Sequence, residues 1–285
     1  MPYNTGTDPT LAELITAKFV PDIFSKNVQM HTKSNLVVAG AVNKQYRDDL
    51  KKGRLVNIPF INEVTDSEVT PGTVPTPVDA AGTPVTITVD QWREATVEIS
   101  DMADIEDVVG YMEEAAKSCA YRIAKRIDTK LGSLFSTLAA SSVQGTDVQT
   151  LTDDIVMALM EYLDTGDVPE DERVIIGDPT SKGDLLGIDK FIRNDYVRNP
   201  VVATGKFGDI YNMRVLITNN LTAATTGNYG VMMHRDALGL VTQREPRSQL
   251  VRMPGQFRQL FIVDVIFGAG EIRDTFGKSF YTRAS

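Results

Sequence analysis

The sequence predicts an α+β fold that carries a projecting β-ribbon, and three observations predict it. Apolar and polar residues alternate with period two over 55–60 and again over 85–89. One apolar stripe of helical spacing runs from Ile105 to Leu138 without a proline. Residues 151–236 interleave short helices with short, wholly apolar strands. With 285 residues and 42% hydrophobic content, the chain has apolar material for one large core or two modest ones.

Composition divides the chain into an arm (1–52), a Pro/Thr/Val-rich segment (53–100), a long helix (101–150), a mixed α/β region (151–236) and a strand-rich return (237–285). The arm holds a short amphipathic run, Leu11, Leu14, Ile15 and Phe19, closed by Pro21. That is too little to build a core, so the arm is expected to order on another surface, its own domain's or a neighbour's. The next segment reads as a hairpin, with Leu55 to Phe60 going out and Val85, Ile87 and Val89 coming back. Pro71, Pro75, Pro77 and Pro84 between its arms keep the chain extended but prevent continuous pairing. Arms of about 15–20 residues would project on the order of 50 Å. A two-stranded ribbon of that length is marginal alone in water and implies a receiving surface. The plainer alternative is two strands of an ordinary sheet joined by an irregular loop.

The helical stripe comprises Ile105, Val108, Val109, Met112, Ala116, Cys119, Ala120, Ile123, Ile127, Leu131, Leu134 and Leu138. Ser100 or Asp101 can cap its start; acids crowd its first half and Lys117, Arg122, Lys125, Arg126 and Lys130 its second, as the helix dipole favours. Some 35 residues predict a rod about 50 Å long. The stripe drifts from a strict heptad, which favours packing along a sheet over a coiled coil. Further on, Thr152 is the expected cap of a helix bearing Ile155, Val156, Leu159, Met160 and Leu163, ended at Gly166. Val174 to Gly177 reads as a buried strand, and Asp178-Pro179 opens another helix. Strands are expected at Val215–Thr218, Tyr229–Met233 and Leu260–Phe267.

Catalytic chemistry finds few ingredients. The two histidines, His31 and His234, sit in no metal-ligand spacing, and the single Cys119 excludes a disulfide within the chain and a multi-thiolate zinc site. Gly277-Lys278-Ser279 resembles the end of a phosphate-binding loop, but Ile272 stands where that loop requires glycine. The acidic pairs Asp48-Asp49 and Asp153-Asp154 read as solvated charge. The net charge of −9 speaks against a surface devoted to gripping phosphates, and no cofactor or metal is expected. No apolar run approaches the length of a membrane span, and the first residues lack the pattern of a cleaved signal, so a cytoplasm-like compartment is expected.

In this order the segments resemble the major capsid protein of tailed bacteriophages. Three stretches sharpen the resemblance: Gly205 to Leu221, where Asn212 stands at a turn position usually held by glycine; Tyr229 to Leu240; and Phe267 to Arg273. The resemblance implies the tailed-phage capsid fold: an N-terminal arm (1–52), an extended loop (53–100), a peripheral domain with a spine helix (101–150) completed by return strands (237–285), and an inserted axial domain (151–236). It implies a non-enzymatic subunit located in the virion and assembled in the host cytoplasm, forming hexamers and pentamers of an icosahedral head. It also implies a separate scaffolding protein, a portal, and packaged double-stranded DNA touched only weakly and without sequence preference. Some relatives weld the shell through a loop lysine; residues 53–100 contain none, so cohesion is expected to be noncovalent.

Within residues 53–100, Glu63, Asp66, Glu68, Asp79, Asp90, Glu94 and Glu98 face only Arg54 and Arg93. The acidic loop, with Pro71 at its tip, is expected to meet basic residues of a neighbouring copy. The candidates are Arg122, Lys125 and Arg126, or Arg244, Arg247 and Arg252. Exposed pairs are worth only about 0–1 kcal/mol each, but a lattice repeats them. Two structural alternatives stay open, an encapsulin-like nanocompartment shell protein and a tail or decoration protein; a hydrolase of unknown type is the enzymatic one.

Overall fold

The computed structural model describes residues 37–47, 50, 52–61, 64, 66, 68, 72, 74, 80, 82–101, 111–139, 143–188, 190 and 210–283. Three helices are described: α1 (Tyr111–Ser133), α2 (Asp153–Thr165) and α3 (Pro179–Leu186). Nine strands accompany them. The first three are β1 (Leu55–Ile58), β2 (Val85–Thr88) and β3 (Gln91–Ser100), followed by β4 (Arg173–Gly177), β5 (Arg214–Ile217) and β6 (Tyr229–His234). The return contributes β7 (Leu238–Met253), β8 (Arg258–Glu271) and β9 (Gly277–Tyr281). They form three sheets, ordered β1-β2, β3-β8-β7 and β5-β4-β6-β9.

The four-stranded sheet is the centre of the molecule because both of its faces are covered. Side chains of a strand alternate between faces, and here Val174, Ile176, Val231 and Met233 turn to α1 while Ile175, Met232 and Phe280 turn to α2. Only β4 and β5 pair in parallel; β6 and β9 add antiparallel. Gly230 lies opposite Phe280, and a side chain at Gly230 would collide with the Phe280 ring. The strand β9, absent from the expectations, thus completes the sheet of the 151–236 region.

Along α1 the apolar stripe is realised by Ala116, Cys119, Ala120, Ile123, Ile127 and Leu131, all buried. The described helix has 23 residues, about 34 Å; residues 102–110 of the expected rod lie outside the described part. After Ser133 the chain leaves the helix in turns, yet Phe135 and Leu138 stay fully buried and extend the stripe. The short 3₁₀ turn Val38–Gly40 packs on this helix, where Asp128 accepts hydrogen bonds from the amides of Val37 (3.3 Å) and Ala39 (3.4 Å). The amphipathic run at 11–21 and His31 lie outside the described residues.

The expected hairpin exists, but its paired length differs. β1 and β2 pair antiparallel from Leu55↔Thr88 to Ile58↔Val85, extended by hydrogen bonds from Val89 N to Arg54 O and from Gly82 N to Phe60 O. Residues 91–100 continue the same alternation but change partner and pair with β8. The longest ribbon is β7–β8, which spans about 50 Å. β7 escaped expectation because it carries Arg244, Pro246 and Arg247 where a strand would show apolar alternation. The register shifts between Thr242, Arg244 and Arg247 explain how the proline is accommodated: it sits at bulges of an edge strand.

Local signals elsewhere are realised with one change of chemistry. Asp178 caps α3 by accepting from Ser181 N at 2.8 Å, with Pro179 at the first helical position. Thr152 stands at the start of α2 in extended backbone, but its hydroxyl makes no cap bond; Asp153 and Asp154 supply the negative charge there. At the other end of α2 the left-handed residue is Asp167 (φ 51°), after Gly166. Val168 N bonds Leu163 O and Asp167 N bonds Asp164 O, which is the Schellman arrangement.

Candidate assembly surfaces

The hairpin is greasy where it meets water. Its base is anchored, with Val56, Ile58, Ile87 and Val89 packed against Leu50, Val241 and Ile272. Toward the tip the apolar residues are uncovered: Ile61 is 82% exposed and Val74 89%, and Val64 is exposed as well; at the base Leu55 is the exposed one. Asp66 and Glu68 are exposed beside them. Glu63, Pro71 and Asp79 lie outside the described residues. Two further apolar side chains are uncovered on the three-stranded sheet, Trp92 at the start of β3 and the turn residue Phe257 at its far end, exposed by 70% and 74%. The apolar side chains near the hairpin tip are the group that a solitary subunit leaves in water.

The two groups of expected basic contacts have different surroundings. Arg244 and Arg247 both point at Asp264, a buried carboxylate on the central strand β8, at 3.6 and 2.6 Å, and Trp92 Nε1 donates to the same carboxylate. Arg252 pairs with Asp101 at 3.1 Å, and Arg258 pairs with Glu98. These arginines hold the sheet β3-β8-β7 together across its strands. Arg122, Lys125 and Arg126 instead form an exposed row on α1, and among the described residues none of them pairs with a carboxylate. They line a cleft of about 630 Å³ whose other wall is β3 from Arg93 to Val97. Sequence reasoning did not foresee this division, because the carboxylates that occupy Arg244, Arg247 and Arg252 are remote along the chain.

Groups with chemical potential are sequestered. Cys119 is buried, and desolvation pushes its thiol pKa up, away from the reactive thiolate. His234 is buried and accepts from Asp236 N through Nδ1. Asp153 accepts hydrogen bonds from Lys190 Nζ (3.0 Å) and Tyr211 Oη (2.8 Å), so the acidic pair at α2 is tied into a polar contact; Asp48 and Asp49 lie outside the described residues. Gly277, Lys278 and Ser279 begin β9, and Lys278 lies over the Tyr162 ring at 4.1 Å. Among the described residues no cluster of three or more His, Cys, Asp or Glu side chains can hold a metal ion. No described helix is long and apolar enough to cross a membrane.

A body with two packed cores, a short-based apolar hairpin and a long twisted ribbon defines a structural subunit built to associate with further copies. The comparisons name that class. The chain belongs to the phage capsid protein family, which matches it over residues 53–272. Among solved structures it is similar to that of Mycobacterium phage Che8, with TM-score 0.68 and 20% identity over 88% of this chain and 92% of that one. It is similar to the mature capsid of bacteriophage PhiM1, with TM-score 0.65 and 16% identity over 81% and 82% of the two chains. A virus-like particle from Pyrococcus furiosus shares the fold at TM-score 0.57 and 10% identity, over 91% of this chain and 98% of that one. Among curated proteins none matches the sequence. The chain is thus a virion structural protein that associates with itself, and the resemblance read from the order of its segments holds.

Proposed function

We propose that this chain is the repeating coat subunit of an icosahedral phage head, arranged as hexamers and pentamers around double-stranded DNA and devoid of enzymatic activity. Residues 1–52 serve as the arm and 53–100 as the extended loop. Residues 101–150 and 237–285 form the peripheral domain, and 151–236 form the inserted axial domain, whose sheet is completed by β9 of the returning chain. The observation that carries this reading is the uncovered apolar surface of the hairpin, Ile61, Val64 and Val74, on a ribbon whose base is anchored. In a closed lattice every copy covers it with another copy. Assembly proceeds in the host cytoplasm with a separate scaffolding protein and a portal, and DNA is touched weakly, as the net charge of −9 favours.

Electron microscopy of the chain coexpressed with its scaffolding protein tests this. Regular polyhedral particles are expected, and rings, tubes or small oligomers would overturn it. Particles filled with a protein cargo in place of DNA would move the chain to the nanocompartment class. Deleting residues 66–82 is expected to leave a folded subunit that closes no shells; normal heads from that deletion contradict the role of the loop.

A further inference from the structure

We infer that Arg273 is the positioning residue of the hairpin: its guanidinium, held by the rings of Phe60 and Phe276, fixes the angle at which the hairpin leaves its own body and thereby the curvature at which copies join. This inference rests on the shell-forming reading above and deepens it by naming a residue that sets the geometry of the shell.

The mount of Arg273 is firm. Arg273 follows β8, and its amide and that of Ile272 both donate to Ala237 O, at 3.2 and 2.8 Å. The turn after it, Asp274–Phe276, is pinned by Ala139 N, which donates to the Asp274 carboxylate at 2.6 Å. Phe276 packs against both large cores, and the His234 ring meets it edge-on at 5.7 Å. Beside Ala237, the Asp236 carboxylate accepts from Asn43 Nδ2 at 2.6 Å, so the root of the arm braces the same corner. The Arg273 side chain standing on this mount is exposed, with its guanidinium carbon 4.7 Å from the Phe276 centroid and 5.2 Å from the Phe60 centroid. Among the described residues no carboxylate pairs with it. The two rings are therefore what orients it, and a planar cation suits both faces.

The hairpin needs such a stop. Its strands enter through Gly53, at φ 112°, and leave through Asp90, where the chain changes sheets; both are places where a backbone can bend. Near that pivot Val56, Ile58, Ile87 and Val89 form a short apolar row against the body. Apolar burial is non-directional, so the row holds the base down while defining its pitch weakly. Phe60 lies beyond the row, and Gly82 N donates to its carbonyl at 3.0 Å, so its ring moves with both sides of the hairpin. The contact with Arg273 thus supplies a second point of support, and two points define an angle. The turn at Gly72 lies twelve positions further on, an extended reach of up to about 40 Å. A swing of about 10° at Phe60 would displace the tip by about 7 Å, more than the spacing of two strands. Every copy repeats this angle, and whether repeated contacts close depends on the rotation each one imposes.

Spin labels at Asp66→Cys and Glu161→Cys, both exposed positions, read the angle as a distance distribution in unassembled subunits; Cys119 is buried away from the label. Arg273→Ala is expected to make that distribution roughly twice as wide, because one of the two supports is gone. Arg273→Lys, which keeps the charge without the planar face, should fall between Arg273→Ala and wild type. Phe60→Leu should match Arg273→Ala, and the two together should be no wider than either alone, since they break one contact. The exposed Arg273→Ala subunit should melt as wild type does, and if it melts early Phe60→Leu carries the same test. On assembly, Arg273→Ala is expected to lower the share of particles with wild-type diameter about fivefold, in favour of mixed diameters and open sheets. A distribution as narrow as wild type overturns the inference, and so do uniform shells of wild-type diameter from Arg273→Ala. Wild-type chain that forms no shells refutes the shell-forming reading, while the distances still report whether Arg273 sets the angle, so the two failures are distinct.

Discussion

Thr282 Oγ1 donates a hydrogen bond of 3.0 Å to the carboxylate of Asp178, joining two residues 104 positions apart and both buried. The same carboxylate accepts from Ser181 N and Oγ, from Thr180 Oγ1 and from Asn228 Nδ2. One side chain therefore caps α3 and fastens it to the chain entering β6 and leaving β9. Burial alone would raise the Asp178 pKa, but the hydrogen bonds from Ser181, Thr180 and Asn228 outweigh it and hold the carboxyl below the usual value. A depressed carboxyl stabilises the fold above its unfolded pKa of about 3.9, and that contribution is lost as pH falls through the folded value. Asp178→Ala is expected to cost about 2–4 kcal/mol at pH 7, from the lost cap and the orphaned donors. Urea unfolding of Asp178→Asn across pH should show its deficit shrinking below about pH 4. A deficit that stays constant with pH would refute the account.

The turn at Tyr211-Asn212 yields a second prediction. Both residues have positive φ, 50° and 63°, and Ile210 and Met213 exchange two backbone hydrogen bonds across them, the geometry of a type I′ turn. Asn212→Gly should be neutral or stabilising by up to about 1 kcal/mol, because glycine has no Cβ to resist that conformation. Asn212→Val should cost about 1–2 kcal/mol. Thermal unfolding of the two variants checks the order, and equal melting points would show that the turn relaxes into another form.

That turn was legible through the resemblance, which marks residue 212 as a glycine position, and asparagine tolerates positive φ there. The cap-proline pair at Asp178-Pro179 and the stripe on α1 were legible directly, because their signals are local. The loop charges were legible too, as composition. What sequence reading missed depends on partners far along the chain. Strand β7 hides its pattern behind Arg244 and Arg247, which satisfy Asp264 across the sheet. The alternation read over 85–89 continues through 91–100 but serves two sheets, because nothing local marks the change of partner after Val89.

The change of partner has a structural hinge point at Gly268. A Cβ there would stand 2.8 Å from the Cα of Val89 and closer still to the carbonyl of Thr88. β8 and the hairpin base thus approach backbone to backbone, and only glycine permits it. Gly268→Val is expected to push β2 off β8, uncover Ile87 and reduce stability by about 2–4 kcal/mol. Gly40, which has open space around it, serves as the control for a glycine replacement, and Gly40→Ala should cost well under 1 kcal/mol. Hydrogen exchange should show the β1–β2 amides of Gly268→Val losing protection while those of β4 and β6 keep it. Uniform loss across all strands would mean that the hairpin base and the central sheet unfold as one unit.

Asp128 makes the opposite electrostatic prediction to Asp178. It is fully buried in the apolar stripe of α1 and accepts from Val37 N and Ala39 N, with weaker support from Asn220 and Val38. Desolvation is the dominant influence and raises its pKa despite those bonds. A carboxyl whose folded pKa is raised favours the fold below its unfolded value of about 3.9, and the advantage is lost as pH rises through the folded value. The contact between the segment at Val37–Ala39 and α1 is therefore weaker at neutral pH than at mildly acidic pH. Asp128→Asn keeps an acceptor oxygen and removes the titration, so its stability should fall within about 1 kcal/mol of wild type at pH 7. Wild type should then gain on Asp128→Asn as pH is lowered from 7 toward 4. Asp128→Ala leaves both amides unpaired and should cost about 1–3 kcal/mol at every pH in that range. Urea unfolding of unassembled subunits measures all three, and parallel pH profiles for wild type and Asp128→Asn would show that the carboxylate is better solvated than its burial implies.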